Sequence, residues 1–204
     1  MHHPLSLALL TGALFLAGSA QAVSLTGSVL NGNSLNTDFS TPSLMAFDLN
    51  LDTSLPVSLT YTVDADDILR GGADLNAIIA DTSGAGVPAL QFSLAGADFD
   101  GLGAAAGISS EGEALVTNPG MQPGGVVVAF TLSEGGVVND VYLGDPFEEG
   151  FQNWHVSFAG LQAGDSFTLS VAAVPEPAEW ALMLAGLGLV AWRQNRADKL
   201  KLLG

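Results

Sequence analysis

Three acidic segments of the chain contain the residue types that bind ligands or cations in other proteins. Residues 98–103 read Asp-Phe-Asp-Gly-Leu-Gly, which is the spacing of the first half of a calcium-binding loop, where oxygen atoms at alternate positions surround a hard cation. The twelfth position of such a loop would be Ser109, whereas the loop needs a bidentate glutamate there. The sequence therefore favours a solvated turn, and we predict no metal site.

The densest acidic cluster consists of Asp64, Asp66 and Asp67, which directly follow a predicted strand. Crowded carboxylates either share a cation or raise one another's pKa. A short helical turn capped by Asp64 or Asp66 explains the same residues without any ligand. The sequence leaves both interpretations open, and the capped turn needs fewer assumptions.

The third segment, residues 145–154, combines carboxylates with aromatic rings. Sugar-binding sites use this mixture, because carboxylates accept hydrogen bonds from hydroxyls while rings stack on the apolar face of a pyranose. The alternative is a polar turn whose Phe147 and Phe151 fold back under the edge of the domain, and the scarcity of large aromatic residues favours it. The candidate ligand residues of this loop are Asp145, Glu148, Glu149 and Trp154.

Catalysis is not expected, and we predict no cofactor. His155 is the only histidine after residue 22, and its alternation with Trp154 and Val156 places it on a polar strand face. No Gly-x-Ser-x-Gly motif accompanies it, and the chain contains no cysteine to act as a nucleophile or form a disulfide. A pair of carboxylates in a glycan hydrolase is the catalytic hypothesis that remains, because spacing in sequence does not give separation in space.

The elements that must position these residues are strands, because apolar residues alternate with polar ones along most of the chain. Residues 45–51 and 57–63 alternate on either side of a short polar connection, which predicts a hairpin. Residues 126–130 are apolar on both faces, which predicts a central strand, and a helical turn is predicted at residues 66–70. The pattern predicts an all-β fold, an antiparallel β-sandwich of jelly-roll-like type. The other predicted strands are residues 25–30, 75–80, 89–94, 114–117, 138–143, 154–158 and 167–171.

The charge of the central domain limits its partners. Residues 23–174 contain eighteen acidic residues and one basic residue, Arg70, a formal charge of −17. Nucleic acid and anionic membrane surfaces are disfavoured, because phosphate binding needs clustered lysine and arginine. The same charge favours solubility and the attraction of cations.

The first 22 residues have the composition of a secretory signal peptide. An apolar region at residues 5–17 is followed by Ala20 and Ala22, small residues at the −3 and −1 positions of a cleavage site after Ala22. This pattern predicts that the chain is exported.

The last thirty residues have the composition of a short membrane anchor that follows a proline-rich peptide. Pro175, Glu176 and Pro177 form a stiff peptide, since each proline fixes φ and lacks an N–H donor. The apolar run 178–192 would span about 22 Å as a helix, against a hydrocarbon core of about 30 Å. Arg193 and Arg196 follow it, so this end is expected to stay in the cytoplasm while the domain lies outside.

A Pro-Glu-Pro peptide followed at once by a short apolar helix and arginines resembles the PEP-CTERM sorting tail of Gram-negative bacteria. The resemblance covers residues 174–196, but the arginines are more widely spaced here than in the family, and residues 197–204 follow them. It implies exosortase as a partner, a transmembrane helix at residues 178–192, and recognition of Pro175, Glu176, Pro177, Arg193 and Arg196.

The expected layout is therefore a signal peptide at residues 1–22, an acidic β-sandwich at 23–173 and a sorting tail at 174–204. The resemblance implies an inner-membrane intermediate that is then carried to the cell surface or extracellular matrix, where exopolysaccharide is the expected associate. The function expected on this basis is that of a non-enzymatic surface or matrix protein. The alternatives are a calcium-assisted carbohydrate-binding module and a glycan hydrolase.

Overall fold

The computed structural model describes residues 23–112, 114–117, 119–130, 137–174, 183–187, 189 and 193. Between residues 23 and 174 of this part there are fourteen strands and one short helix, α1 (Ala65–Arg70). The strands are β1 (Ser24–Val29), β2 (Ser34–Asp38), β3 (Leu44–Leu51), β4 (Val57–Thr62), β5 (Gly72–Asp81), β6 (Ala89–Ala95), β7 (Asp98–Gly101), β8 (Ala105–Ser109), β9 (Ala114–Thr117), β10 (Gly120–Gln122), β11 (Gly125–Ala129), β12 (Val138–Leu143), β13 (Trp154–Ser157) and β14 (Ser166–Ala173).

The strands form two sheets. Sheet A has the order β1-β4-β14-β6-β11-β10, and all its neighbours are antiparallel. Sheet B has the order β2-β3-β5-β12-β8-β9, and β13 extends it by pairing with β5 and β7. The chain passes between the sheets several times, so neighbours in sequence are often not neighbours in a sheet.

One hydrophobic core lies between the two sheets. Apolar residues at alternate positions of most strands point into it, and Phe92 of sheet A meets Trp154 of sheet B edge to face, with ring centroids 5.3 Å apart. Tyr61 and Phe167 stack within the same core at 5.5 Å. The all-β prediction is confirmed.

The prediction of a wholly antiparallel fold is wrong at one pair of strands. β3 runs parallel to β5, with Leu44 beside Asp74 and Leu51 beside Asp81. The hairpin predicted between β3 and β4 is also wrong, because β4 belongs to sheet A. The side chain of buried Asn33 holds the segment between β3 and β4. Its Oδ1 accepts a hydrogen bond from Thr53 N–H at 2.8 Å, and its Nδ2 donates one to the Leu55 carbonyl at 2.9 Å. The connection thus crosses between sheets instead of turning back within one.

Several other strand predictions need correction. β11 is the second strand from an edge of sheet A and is not central, and it buries Val126 and Val128 while Ala129 is exposed. The sequence pattern missed β2, β7, β8 and β10, which are short or rich in small residues.

Helix α1 confirms the predicted helical turn, and its hydrogen bonds favour the capping interpretation of Asp64, Asp66 and Asp67 over cation binding. The Asp64 carboxylate accepts hydrogen bonds from the N–H groups of Asp66 and Asp67, each at 2.8 Å, and the Asp67 carboxylate accepts one from Asp64 N–H. This reciprocal capping box is a standard helix start. Buried Asp67 also pairs with Arg70, and Gly71 ends the helix at φ 80°. The cluster therefore caps a helix.

Charge is distributed unevenly between the two sheets. The six strands of sheet A contain no charged residue, whereas those of sheet B contain seven aspartates. The outer face of sheet A is instead lined by hydroxyls that bond across strands, such as Thr62 to Ser166 at 2.8 Å and Thr60 to Thr168 at 3.2 Å. The acidic character of the domain thus comes from sheet B and the loops.

The described part of the predicted tail helix is short. Residues 183–187, 189 and 193 are helical, and Met183, Leu184, Leu187 and Leu189 are exposed. Within the portions of the chain that the structure describes, no helix has the length and apolar character needed to span a membrane.

Candidate functional site

A groove of about 620 Å³ opens on the outer face of sheet B. Its size lies within the range of about 300–1,000 Å³ that is typical of small-ligand sites. It is bounded by β3, β5, the turn before β3 and the loop between β12 and β13. The residues lining it are Phe39, Thr41, Leu44, Ala46, Phe47, Asp48, Asn76, Ile78, Asp145, Pro146, Glu148, Gly150 and Asn153.

The floor of the groove follows from strand alternation. Asp48 lies between Phe47 and Leu49, whose side chains are in the core, so Asp48 points to the opposite face. In the parallel register of β3 and β5, Asp48 lies beside Ile78. The floor therefore combines apolar surface with one carboxylate.

The loop between β12 and β13 forms one wall and is held by its own hydrogen bonds. Asp145 N–H donates to Asn153 Oδ1 at 2.7 Å, and the Asp145 carbonyl accepts from Asn76 Nδ2 at 3.2 Å. The Asp145 carboxylate accepts from the N–H groups of Glu149 and Gly150, each at 2.7 Å. Asp145 thus shapes the loop and ties it to β5.

The turn before β3 forms the opposite wall. Phe39 N–H donates to the Ala46 carbonyl at 3.1 Å, and Thr41 and Leu44 exchange backbone hydrogen bonds at 2.8 and 3.1 Å. The Phe39 side chain, 57% exposed, lies at the rim of the groove. An exposed aromatic ring is therefore held in a bonded turn beside the apolar floor.

Two carboxylates besides Asp145 line the groove. Asp48 is half-buried, and its desolvation raises its pKa above the ordinary value of 3.8. Glu148 is exposed, at a left-handed φ of 57°. The groove thus presents hydrogen-bond acceptors at its floor and at its rim.

The aromatic residues of the predicted ligand loop are not arranged as the sequence indicated. Phe147 and Phe151 do not fold under the domain, since they are 53% and 52% exposed, and Phe147 meets Tyr142 edge to face at 5.0 Å. Burial and the charge of Asp140 raise the pKa of Tyr142, with burial the larger cause. The rim of sheet B therefore carries exposed rings near the groove.

Trp154 is wrong as a ligand residue. Its side chain is fully buried, its ring contacts Phe92 and Phe99, and its Nε1–H donates to the Ala104 carbonyl at 2.9 Å. Alternation along β13 forces it inward, because His155 on the next position faces out. Trp154 therefore stabilises the core and has no surface for a ligand.

The structure brings two of the four predicted ligand residues, Asp145 and Glu148, to the groove. Glu149 is exposed on the same loop but does not line it. Sequence reasoning missed Phe39, Asp48 and Asn76, because they are distant in the chain. One signal was present, since Asp48 is the only charged residue in β3.

The segment with calcium-loop spacing is neither a cation loop nor a turn. Residues 98–101 form β7, which pairs with β13, and Asp98 and Asp100 are exposed side chains of that strand. Asp100 contacts His155, with Oδ1 2.5 Å from Nδ1. Across the described residues, no group of three or more histidine or acidic side chains is arranged to hold a metal ion.

The predicted processing signals fall almost wholly on residues that the structure does not describe. Arg193 is described, and it is helical and exposed. The signal-peptide and sorting residues outside the described part are Ala20, Ala22, Pro175, Glu176, Pro177 and Arg196.

Comparison of the chain with protein-family models, with curated proteins and with solved structures finds no match.

Proposed function

We propose that this chain is an exported, non-enzymatic protein of the cell surface or extracellular matrix, delivered by its C-terminal sorting tail. The observation that supports the proposal is the extent of the folded domain. Its first strand begins at Ser24, two residues after Ala22 of the predicted cleavage site, and its last strand ends at Ala173, two residues before Pro175.

Removal of both signals would take no described strand and no described core residue from the domain. Val23 is 1% exposed and belongs to the core, so cleavage after Ala22 leaves every described core residue in place. At the other end Val174 N–H donates to the Ala89 carbonyl at 2.9 Å, which fastens the chain immediately before Pro175. Processing at either end therefore leaves the hydrogen-bonded sheets complete.

The tail supplies the route in this proposal. By its resemblance to the PEP-CTERM family, Pro175, Glu176 and Pro177 are the peptide recognised by exosortase, and residues 178–192 are the temporary anchor. Arg193 and Arg196 keep the C-terminus in the cytoplasm until the domain passes to the surface or to exopolysaccharide. The jelly-roll-like form of the sandwich belongs to the same proposal, and the repeated crossings between sheets support it.

The test compares localisation of the full-length protein with that of Glu176→Ala and of a chain ending at Val174. Both variants are expected to be released or retained in the wrong compartment, measured by surface labelling and fractionation. Glu149→Gln, an exposed acid outside the tail, is the matched control. Unchanged surface retention of both tail variants would refute the proposal, and mass spectrometry of the mature C-terminus shows directly whether the tail is cut.

The two alternative functions now rest on different observations. The calcium part of the carbohydrate-binding hypothesis loses its support, because residues 98–101 form a strand. The hydrolase hypothesis requires a carboxylate pair, and Asp48 and Glu148 both line the groove. Incubation with neutral polysaccharides tests it, and no release of reducing sugar would end that hypothesis.

A further inference from the structure

We infer that the groove on sheet B binds a neutral oligosaccharide, with Phe39 against the apolar face of a pyranose and with Asp48 and Glu148 accepting hydrogen bonds from its hydroxyls. The inference concerns the folded domain alone and does not depend on the sorting proposal.

The chemistry of the lining identifies the ligand class. Its floor and walls are largely apolar, with Ile78 and Leu44 among them, and an exposed ring lies at the rim. Ionised carboxylates accept hydrogen bonds and do not donate them, so these side chains suit a ligand that offers several donors together with an apolar surface. A pyranose has both, because its hydroxyls lie around a ring whose faces present C–H groups.

The negative charge of the domain disfavours anionic ligands, and the arrangement of its side chains disfavours a small cation. A formal charge of −17 over residues 23–174 repels anionic polymers. A small cation needs several oxygens gathered at one point, and in the described residues no group of three or more histidine or acidic side chains is arranged to hold a metal ion. Of the three acids that line the groove, Asp145 is engaged by backbone N–H groups of its own loop, and the other two, Asp48 and Glu148, lie on different elements, which suits an extended ligand with hydroxyls along its length.

The groove is held in shape before any ligand arrives. Asp145 ties the β12–β13 loop to Asn76 of β5, and backbone bonds between Thr41 and Leu44 hold the opposite turn. A site held in its binding geometry spends less free energy on ordering when it binds. The two walls are therefore suited to bind a ligand without rearrangement.

The test is calorimetric titration of the full-length chain in a polyoxyethylene detergent, because a glucoside or maltoside detergent would itself offer a sugar. The probes are cellohexaose, maltohexaose and mannohexaose, with a galacturonic acid oligomer as the anionic probe and oligolysine as the basic one. We expect at least one neutral oligosaccharide to bind with an affinity that does not change with salt, since no ion pair is formed.

Paired variants locate the site. Phe39→Ala is expected to weaken binding about tenfold, the effect of losing one ring contact. Phe151→Ala removes a ring of nearly equal exposure outside the groove and should leave the affinity unchanged. Glu148→Gln is expected to weaken binding about fivefold, because a neutral acceptor replaces a charged one. Glu149→Gln, one residue along the chain, is its control.

Three outcomes would overturn the inference. Binding of none of the neutral oligosaccharides would do so, as would a neutral ligand whose affinity is equal in Phe39→Ala and Phe151→Ala. Salt-sensitive binding of oligolysine alone would identify a basic peptide as the occupant instead. None of these results would alter the localisation test of the tail.

Discussion

Replacing Trp154 decides between the ligand role that the sequence suggested and the core role that the structure assigns. Removing a fully buried tryptophan side chain costs about 3–5 kcal/mol of unfolding free energy. A single domain is stable by only about 5–15 kcal/mol. For a domain of this size each kcal/mol lowers the melting temperature by about 2–4 °C, so Trp154→Ala should melt about 6–20 °C below the native protein.

Trp154→Phe separates the hydrogen bond from the ring packing. The variant keeps a ring beside Phe92 and Phe99 but loses the Nε1–H donor. The Ala104 carbonyl still accepts from Gly144 N–H at 2.9 Å, so it is not left unpaired. The expected loss is therefore about 1–3 kcal/mol, from one hydrogen bond and a small cavity.

The assay is thermal unfolding followed by circular dichroism, combined with the oligosaccharide titration. Phe151→Ala is the control, because substitution of a half-exposed ring should change stability by no more than about 0.5 kcal/mol. If Trp154→Ala melted with the native protein, the placement of Trp154 in the core would be wrong. If Trp154→Phe abolished oligosaccharide binding without changing the melting temperature, the ligand role would be restored.

Three further predictions concern stability, each measured by chemical denaturation. Gly103→Ala should destabilise the protein by about 1–3 kcal/mol, because a Cβ there would lie 1.9 Å from the Gln152 carbonyl oxygen. Gly120→Ala is its control, since a Cβ there meets open space and should be nearly neutral. Equal losses of stability in the two variants would refute the clash. Asp64→Ala should cost about 1 kcal/mol through the lost helix cap, and no loss would contradict the capping box. Burial raises the pKa of Asp48, so the folded state binds its proton more tightly and stability should fall as pH rises above 3.8. Asp48→Asn should remove that fall, and an unchanged profile would contradict the prediction.

Local patterns predicted several strands closely. Residues 57–63 became β4, and the predicted strands 114–117 and 138–143 coincide with β9 and β12. The capped turn was equally readable, because a capping box depends on neighbours in sequence. What failed was pairing: β3 and β4 alternate in the same way, yet they lie in different sheets.

Only one wall of the groove could be predicted from the sequence, because the rest depends on which strands pair. The loop containing Asp145 and Glu148 was visible as a mixture of acids and rings, but the face it meets is made by β3 and β5, about seventy to a hundred residues earlier in the chain. Trp154 was misassigned because the loop was judged by its composition, although the alternation that places His155 on the polar face also places Trp154 on the apolar one. Alternation shows which residues share a face of a strand, but it does not show which strands lie side by side.

Because the strands of sheet A contain no charged residue, the two faces of the domain differ in charge, and the face of sheet B is the more negative one. Facing sheets lie about 10 Å apart, close to the distance of about 8 Å over which physiological salt screens a charge. Near any negatively charged surface the domain should therefore turn its hydroxyl-lined side toward that surface and its aspartate-bearing side away from it. In that orientation the groove on sheet B opens away from the surface.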